Sequence, residues 1–193
     1  KASSPINLYG ATKLCADKLF IAANNFKGPK KITFSVLRYG NVFGSRGSVL
    51  ETFLESKKNN TFKITDNSMT RFNITINEAI KLALFSLQIS KGDEIIVPKL
   101  PSYRIIDLVK AISKKPKINI IGIRPGEKIH EELIAESNAM NTLESKDFYI
   151  ILKDLSGPIY NYYVKKFKCH KVKKNFSYTS GNNNNFLNSN NLR

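Results

Sequence analysis

The sequence has no tryptophan, two cysteines and two histidines, and that scarcity removes whole classes of chemistry. Cys15 and Cys169 lie too far apart for a disulfide framework or a zinc knuckle, and a reducing setting follows. Cys15 falls in a helical pattern and reads as a small packing residue. His130 and His170 alone leave a metal centre short of ligands, so no metal is expected. No run approaches the ~20 continuous apolar residues of a membrane span. The chain opens Lys1-Ala2-Ser3-Ser4-Pro5, with no methionine and no apolar leader. It therefore reads as a cytoplasmic fragment whose true start lies upstream.

Acidic residues are also few, 15 against 31 Lys and Arg, for a net charge of +16. Such an excess raises nucleic acid as a partner. Here it consists of 25 lysines against 6 arginines, spread along the chain among many Asn and Ile. Those residue types share A/T-rich codons, so a solvated surface is the better account and no nucleic-acid partner is expected. A non-catalytic basic nucleic-acid-binding module built on residues 165–174 is the alternative from a different class. Beyond Phe167 that run lacks the interleaved aromatics that stack bases.

What is present suits a globular fold: 193 residues, 41% apolar and 24% charged. Apolar spacing predicts a helix over 7–26, closed by Gly28-Pro29, then a strand over 31–38 and a Gly-containing loop. A helix follows at 49–58, then short strands at 61–65 and 70–75 around an Asp66-Asn67-Ser68 turn. Asn77 is expected to cap a helix running to about 90. A strand at 94–98, a helix at 104–113, a strand at 117–123, a short helix at 127–133 and a last strand at 149–152 complete the pattern. Alternation of this kind points to an α/β fold with right-handed crossovers.

Tyr9 and Lys13 have the spacing Y-x-x-x-K, which puts both on one helical face. An ammonium one turn from a phenol favours the anionic ring oxygen. Such a pair can exchange a proton with a carbinol during nicotinamide chemistry while the Lys holds ribose hydroxyls. The pattern recurs at Tyr149/Lys153, in a strand where four residues span roughly 13 Å, and at Tyr162/Lys166, in the basic C-terminal region. Only the first copy opens a helix behind Ser-x-Pro-x-Asn.

The run Pro5-Ile6-Asn7-Leu8-Tyr9-Gly10-Ala11-Thr12-Lys13-Leu14 resembles the active-site helix of the extended short-chain dehydrogenase/reductases. Arg38-Tyr39-Gly40-Asn41-Val42-Phe43-Gly44 resembles the strand and loop that follow it. Three further motifs, Gly44-Ser45-Arg46-Gly47-Ser48-Val49, Ile64-Thr65-Asp66…Met69-Thr70-Arg71-Phe72 and Gly122-Ile123-Arg124-Pro125-Gly126-Glu127-Lys128-Ile129-His130-Glu131, narrow the match. In that order they look like the inverting UDP-N-acetylglucosamine 4,6-dehydratases of the polysaccharide biosynthesis protein family, which begin pseudaminic acid synthesis.

The resemblance implies a Rossmann-like α/β fold with a small substrate-binding α/β subdomain. Residues 1–155 would be the C-terminal part of a nucleotide-sugar dehydratase, and 156–193 a basic, Asn-rich C-terminal segment. The Gly-rich loop that holds a dinucleotide pyrophosphate is not in the chain, so the NADP-binding half is expected upstream and this stretch alone is expected to be inactive. Lys1, eight positions before Tyr9, would be the base that removes the sugar C5 proton; the acid for the departing C6 hydroxyl is expected just before it. Tyr9, Lys13, Val42 and Arg46 would contact the cofactor, NADP. Asn41, Arg71, Arg124 and Glu127 would hold a UDP-amino sugar, the arginines on the diphosphate and Glu127 on the uridine ribose. Glu55 stands where the family often carries a substrate-binding Lys, and that site is not carried over. A homo-oligomer is implied for the full-length protein. A UDP-sugar dehydratase or epimerase of another stereochemical outcome is the near alternative.

Overall fold

The computed structural model describes residues 1–193. Along the chain the elements are α1 (Leu8–Ala23), β1 (Val36–Leu37), β2 (Asn41–Val42), α2 (Val49–Ser56), β3 (Thr61–Ile64), β4 (Thr70–Ile74) and α3 (Ile76–Ile89). Then come β5 (Glu94–Pro98), β6 (Ser102–Arg104), α4 (Ile105–Ile112), β7 (Lys117–Ile120), β8 (Glu132–Ile134) and β9 (Thr142–Glu144). The last are β10 (Phe148–Leu152), α5 (Gly157–Phe167), β11 (His170–Lys171), β12 (Tyr178–Thr179) and β13 (Phe186–Leu187). The expected α/β alternation is present, and no helix is long and apolar enough to cross a membrane.

The chain divides into two compact units. The first comprises residues 1–39, 80–99 and 132–178. Its five-stranded sheet runs β1-β5-β10-β9-β11, with β1 parallel to β5 and the rest antiparallel. β5 and β10 are buried along their whole length, which their unbroken apolar runs Ile95-Ile96-Val97 and Tyr149-Ile150-Ile151-Leu152 require. α5 closes one side of the core by burying Tyr163, whose hydroxyl donates to the Ile89 carbonyl at 3.1 Å. Residues 157–171 therefore hold a core helix and an edge strand, which the Lys-rich texture had hidden.

The second unit comprises residues 40–79, 100–131 and 179–193. A four-stranded sheet runs β13-β6-β4-β2, and β3 pairs parallel with β7. Phe53, Phe62, Ile64, Met69, Leu108 and Val109 form its core. Each such side chain withdrawn from water contributes about 1.5–3 kcal/mol.

Several local expectations need correction. The residues 31–38 supply only two ladder positions, because the Asn24 side chain takes both backbone groups of Phe34, at 2.7 and 3.0 Å. The expected strands on either side of the turn are present as β3 and β4, which pair with β7 and with β2 and β6. The Asp66 carboxylate shapes that turn by accepting from the Ser68 N–H and hydroxyl, which lowers its pKa. Thr75, not Asn77, caps α3: its N–H donates to Glu78 Oε2 at 2.7 Å, and the Glu78 N–H returns to Thr75 Oγ1 at 3.3 Å. No helix forms at 127–133. The Ile129 carbonyl accepts from the Thr70 N–H, the Glu131 carbonyl accepts from the Ser180 N–H, and 132–134 is extended as β8. Cys15 is exposed rather than packed; Cys169 is the buried thiol, and burial pushes its pKa up to about 11.

Candidate active site

In the first unit the candidate residues gather at the start of α1. Asn7 caps the helix by accepting from the Gly10 N–H at 2.8 Å. Gly10 lets the preceding segment cross the helix closely: a Cβ there would lie 3.0 Å from Pro5 Cβ and 3.1 Å from the Lys1 carbonyl oxygen. That crossing returns Lys1 to the helix face. Its Nζ stands 5.0 Å from the Tyr9 ring centroid, and Lys13 Nζ stands 5.5 Å from the same centroid. Both are within cation–π range. Tyr9 is 56% exposed, so its hydroxyl is open to a ligand. The other two Y-x-x-x-K copies differ. Tyr149 lies buried in β10, with its pKa raised by desolvation. Tyr162, unlike what its setting suggested, sits on α5 and accepts from Lys166 Nζ at 3.1 Å.

α1 is thinly packed. Its one buried residue is Gly10, while Leu8 and Leu19 are 81% and 69% exposed. Polar ties hold it instead. Asp17 Oδ2 lies 2.8 Å from Arg38 Nε, and Arg38 Nη1 donates to the Leu133 carbonyl at 3.0 Å. Ser4 donates to the Glu132 carboxylate. Arg38 thus serves a structural ion pair.

The remaining candidates lie in the second unit. Gly40 is forced: a Cβ would fall 2.5 Å from Phe72 Cβ. This close approach seats β2 beside β4, with Asn41 opposite Asn73 and Val42 opposite Ile74. Arg71 and Asn73 occupy alternate positions of β4 and so share a face. The Asn73 side-chain oxygen is buried with no hydrogen-bond partner. In the sequence only the alternation with Arg71 points to Asn73.

Arg71 is heavily engaged: Nη1 donates to the Thr70 and Ile129 carbonyls at 2.7 and 3.0 Å, and Nε lies 3.5 Å from Glu131. Opposite it, burial pushes the Tyr103 phenol up to about 12, with the Arg71 charge acting against that rise. Glu127 Oε1 accepts from Thr65 Oγ1 at 3.0 Å, which joins two of the sequence motifs. Arg124 and Arg46 are exposed, Arg46 in the loop between two left-handed glycines, Gly44 and Gly47. Beside it the buried Ser48 hydroxyl at the start of α2 has no partner.

The mixed sheets make this an α/β protein, and its likeness to solved structures gives it the extended short-chain dehydrogenase/reductase fold. The chain belongs to the polysaccharide biosynthesis protein family, whose pattern matches residues 1–153. It is 44% identical over 189 residues to a UDP-N-acetylglucosamine 4,6-dehydratase (inverting) of Campylobacter jejuni, covering 95% of this chain and 57% of that protein. It is 35% identical over 159 residues to a UDP-glucose 4-epimerase of Rickettsia canadensis, covering 80% and 47%. The X-ray structure of Pen from Bacillus thuringiensis superposes on it with a TM-score of 0.83 at 35% identity, covering 100% of this chain and 58% of that one. The chain thus spans a little over half the length of these relatives, except for the epimerase, where it spans just under half.

Proposed function

We propose that this chain contributes the catalytic Tyr/Lys helix and the sugar-nucleotide contacts of an NADP-dependent, cytoplasmic UDP-N-acetylglucosamine 4,6-dehydratase that inverts C5. The observation that carries the reading is the pair of ammonium groups, Lys1 and Lys13, over the one exposed ring of Tyr9. The identity with the Campylobacter dehydratase supports the substrate.

The donor set fits a nicotinamide riboside: an accessible phenol and an ammonium one turn away. When bound, a nicotinamide would supply reversible hydride chemistry there, the oxidation at C4 and the reduction at C6. Lys13 holds ribose hydroxyls and keeps Tyr9 oriented. Tyr9 takes the C4 hydroxyl proton, and the resulting ketone makes the C5 proton acidic. Lys1 removes that proton, water departs from C6, and C5 is reprotonated on the opposite face. The sum is loss of one water with no net oxidation. Arg124 offers a bidentate fork to the diphosphate, Arg71 contributes its charge to the same group, and Glu127 accepts from the uridine ribose. Asn41 contacts the sugar; Val42 and Arg46 line the cofactor side. The full-length protein works as a homo-oligomer.

The test is product analysis with the full-length protein and UDP-N-acetylglucosamine. A 4-keto-6-deoxy product with inverted C5 and one solvent deuteron at C5 supports the reading. The Rickettsia relative favours a second one, 4-epimerisation. A C4 epimer with its C6 hydroxyl intact would establish that instead.

A further inference from the structure

We propose that Arg38 is a positioning residue for the Tyr9/Lys13 pair: by engaging Asp17 it fixes α1 and keeps the Asp17 carboxylate off Lys13. The inference rests on the reading of Tyr9 and Lys13 given above. α1 carries Tyr9, Lys13 and Asp17 at four-residue intervals, so Lys13 stands one turn from each of the other two. A Lys/Asp pair at that spacing closes readily on a helix and would draw the ammonium away from the phenol. Here the carboxylate is already occupied. Asp17 Oδ2 lies 2.8 Å from Arg38 Nε, with the two side chains 12% and 7% exposed. Lys13 Nζ turns to the Tyr9 ring instead.

The guanidinium is suited to the task because it bonds in two directions at once. Nε meets Asp17, and Nη1 donates to the Leu133 carbonyl on β8. The Arg38 N–H extends β1 by donating to the Ile96 carbonyl at 2.9 Å. Ser4, between Lys1 and Tyr9, donates to Glu132 on the same β8 strand. β8 therefore anchors the segment before Tyr9 and the helix turn after Lys13. Within this chain α1 buries only Gly10, and these ties join it to β1 and β8.

The experiment uses the full-length protein with Arg38→Met, which keeps the aliphatic volume, Arg38→Lys, Asp17→Asn/Arg38→Met and Tyr9→Phe. Steady-state turnover of UDP-N-acetylglucosamine is measured together with amide hydrogen exchange over residues 8–17. Misplacement of a catalytic group by ~1 Å can cost ~100-fold, so Arg38→Met should lower kcat about 10- to 100-fold with KM little changed. Removing the freed carboxylate in the double variant should recover part of that loss, the part due to Lys13 being drawn from Tyr9, while α1 stays untied. Arg38→Lys still neutralises Asp17 but gives up the second bond, so its kcat should lie between those of wild type and Arg38→Met, which keeps the test open if Arg38→Met does not fold. Exchange should quicken across 8–17 in Arg38→Met while the β5 and β10 amides stay protected. The proposal is overturned if Arg38→Met or Arg38→Lys behaves oppositely, or if the double variant is no more active than Arg38→Met. A Tyr9→Phe protein with normal turnover would instead refute the functional reading, and the exchange pattern would still report whether Arg38 holds α1.

Discussion

Replacing Gly40 by Ala should cost stability through one contact that no side-chain trimming can relieve. The added Cβ would lie 2.5 Å from Phe72 Cβ and 3.3 Å from the Phe72 carbonyl carbon and oxygen. Carbon atoms pack at about 3.5–4.0 Å, so the backbones leading into β2 and β4 must part by roughly 1 Å. Phe72 is fully buried, and overpacking of this kind costs about 1–3 kcal/mol. Loss of the glycine's freedom in the unfolded chain offsets about 0.4–1 kcal/mol of that. The net loss of about 1–2 kcal/mol corresponds to a Tm lower by about 2–8 °C for a protein of 150–250 residues. Differential scanning calorimetry reads it directly. The offending atom is a Cβ, not the ring, so Gly40→Ala and Phe72→Leu should be additive in a double-mutant cycle. An unchanged Tm in Gly40→Ala, or rescue by Phe72→Leu, would refute this origin of the glycine.

Glu94, Tyr163, Arg71 and Arg124 give four further outcomes. Glu94 is wholly buried; its Oε1 accepts from the Lys91 and Gly92 N–H groups, while Oε2 has no partner. Desolvation raises its pKa, with the neighbouring Asp93 adding to the rise. A carboxyl whose folded pKa exceeds its unfolded value destabilises the fold as pH climbs through that interval. Glu94→Gln keeps the accepting oxygen and should therefore stabilise at neutral pH but not below the unfolded carboxyl pKa, as urea melts at the two pH values would show. Tyr163→Phe removes the bond to the Ile89 carbonyl and should cost about 0.5–1.5 kcal/mol in the same melts. Arg71→Ala should lower Tm by releasing the Ile129 carbonyl and Glu131, whereas Arg124→Ala should leave Tm unchanged and weaken UDP binding by calorimetry.

The features legible in the sequence were those fixed by neighbours along the chain. The α1 start at Asn7, the Tyr9/Lys13 spacing, the Asp66–Ser68 turn and the strands at 94–98 and 149–152 all depend on residues within a turn or a short run. What was missed depends on distant partners. Residues 127–133 look helical in isolation, yet Thr70 and Ser180, over 45 positions away, take their carbonyls. The Asn24 side chain ends the ladder at Phe34 in the same manner. Arg38 and Arg71 lie in the quoted motifs, but only the fold reveals Asp17 and Glu131 as their partners. The buried face of α5 was masked by the lysines on its other side.

The most direct measurement concerns Lys1, through single-turnover nicotinamide absorbance and deuterium incorporation at C5 in the full-length protein. With Tyr9→Phe, C4 oxidation should fail and neither reduced cofactor nor product should build up. With Lys1→Ala, oxidation should proceed but elimination should stall, leaving the 4-keto sugar and reduced nicotinamide on the enzyme. Exchange at C5 should fall by about 10²–10⁴-fold, the usual contribution of a positioned general base. Wild-type exchange at C5 in Lys1→Ala would show that Lys1 is not the base and would remove the main support for inversion.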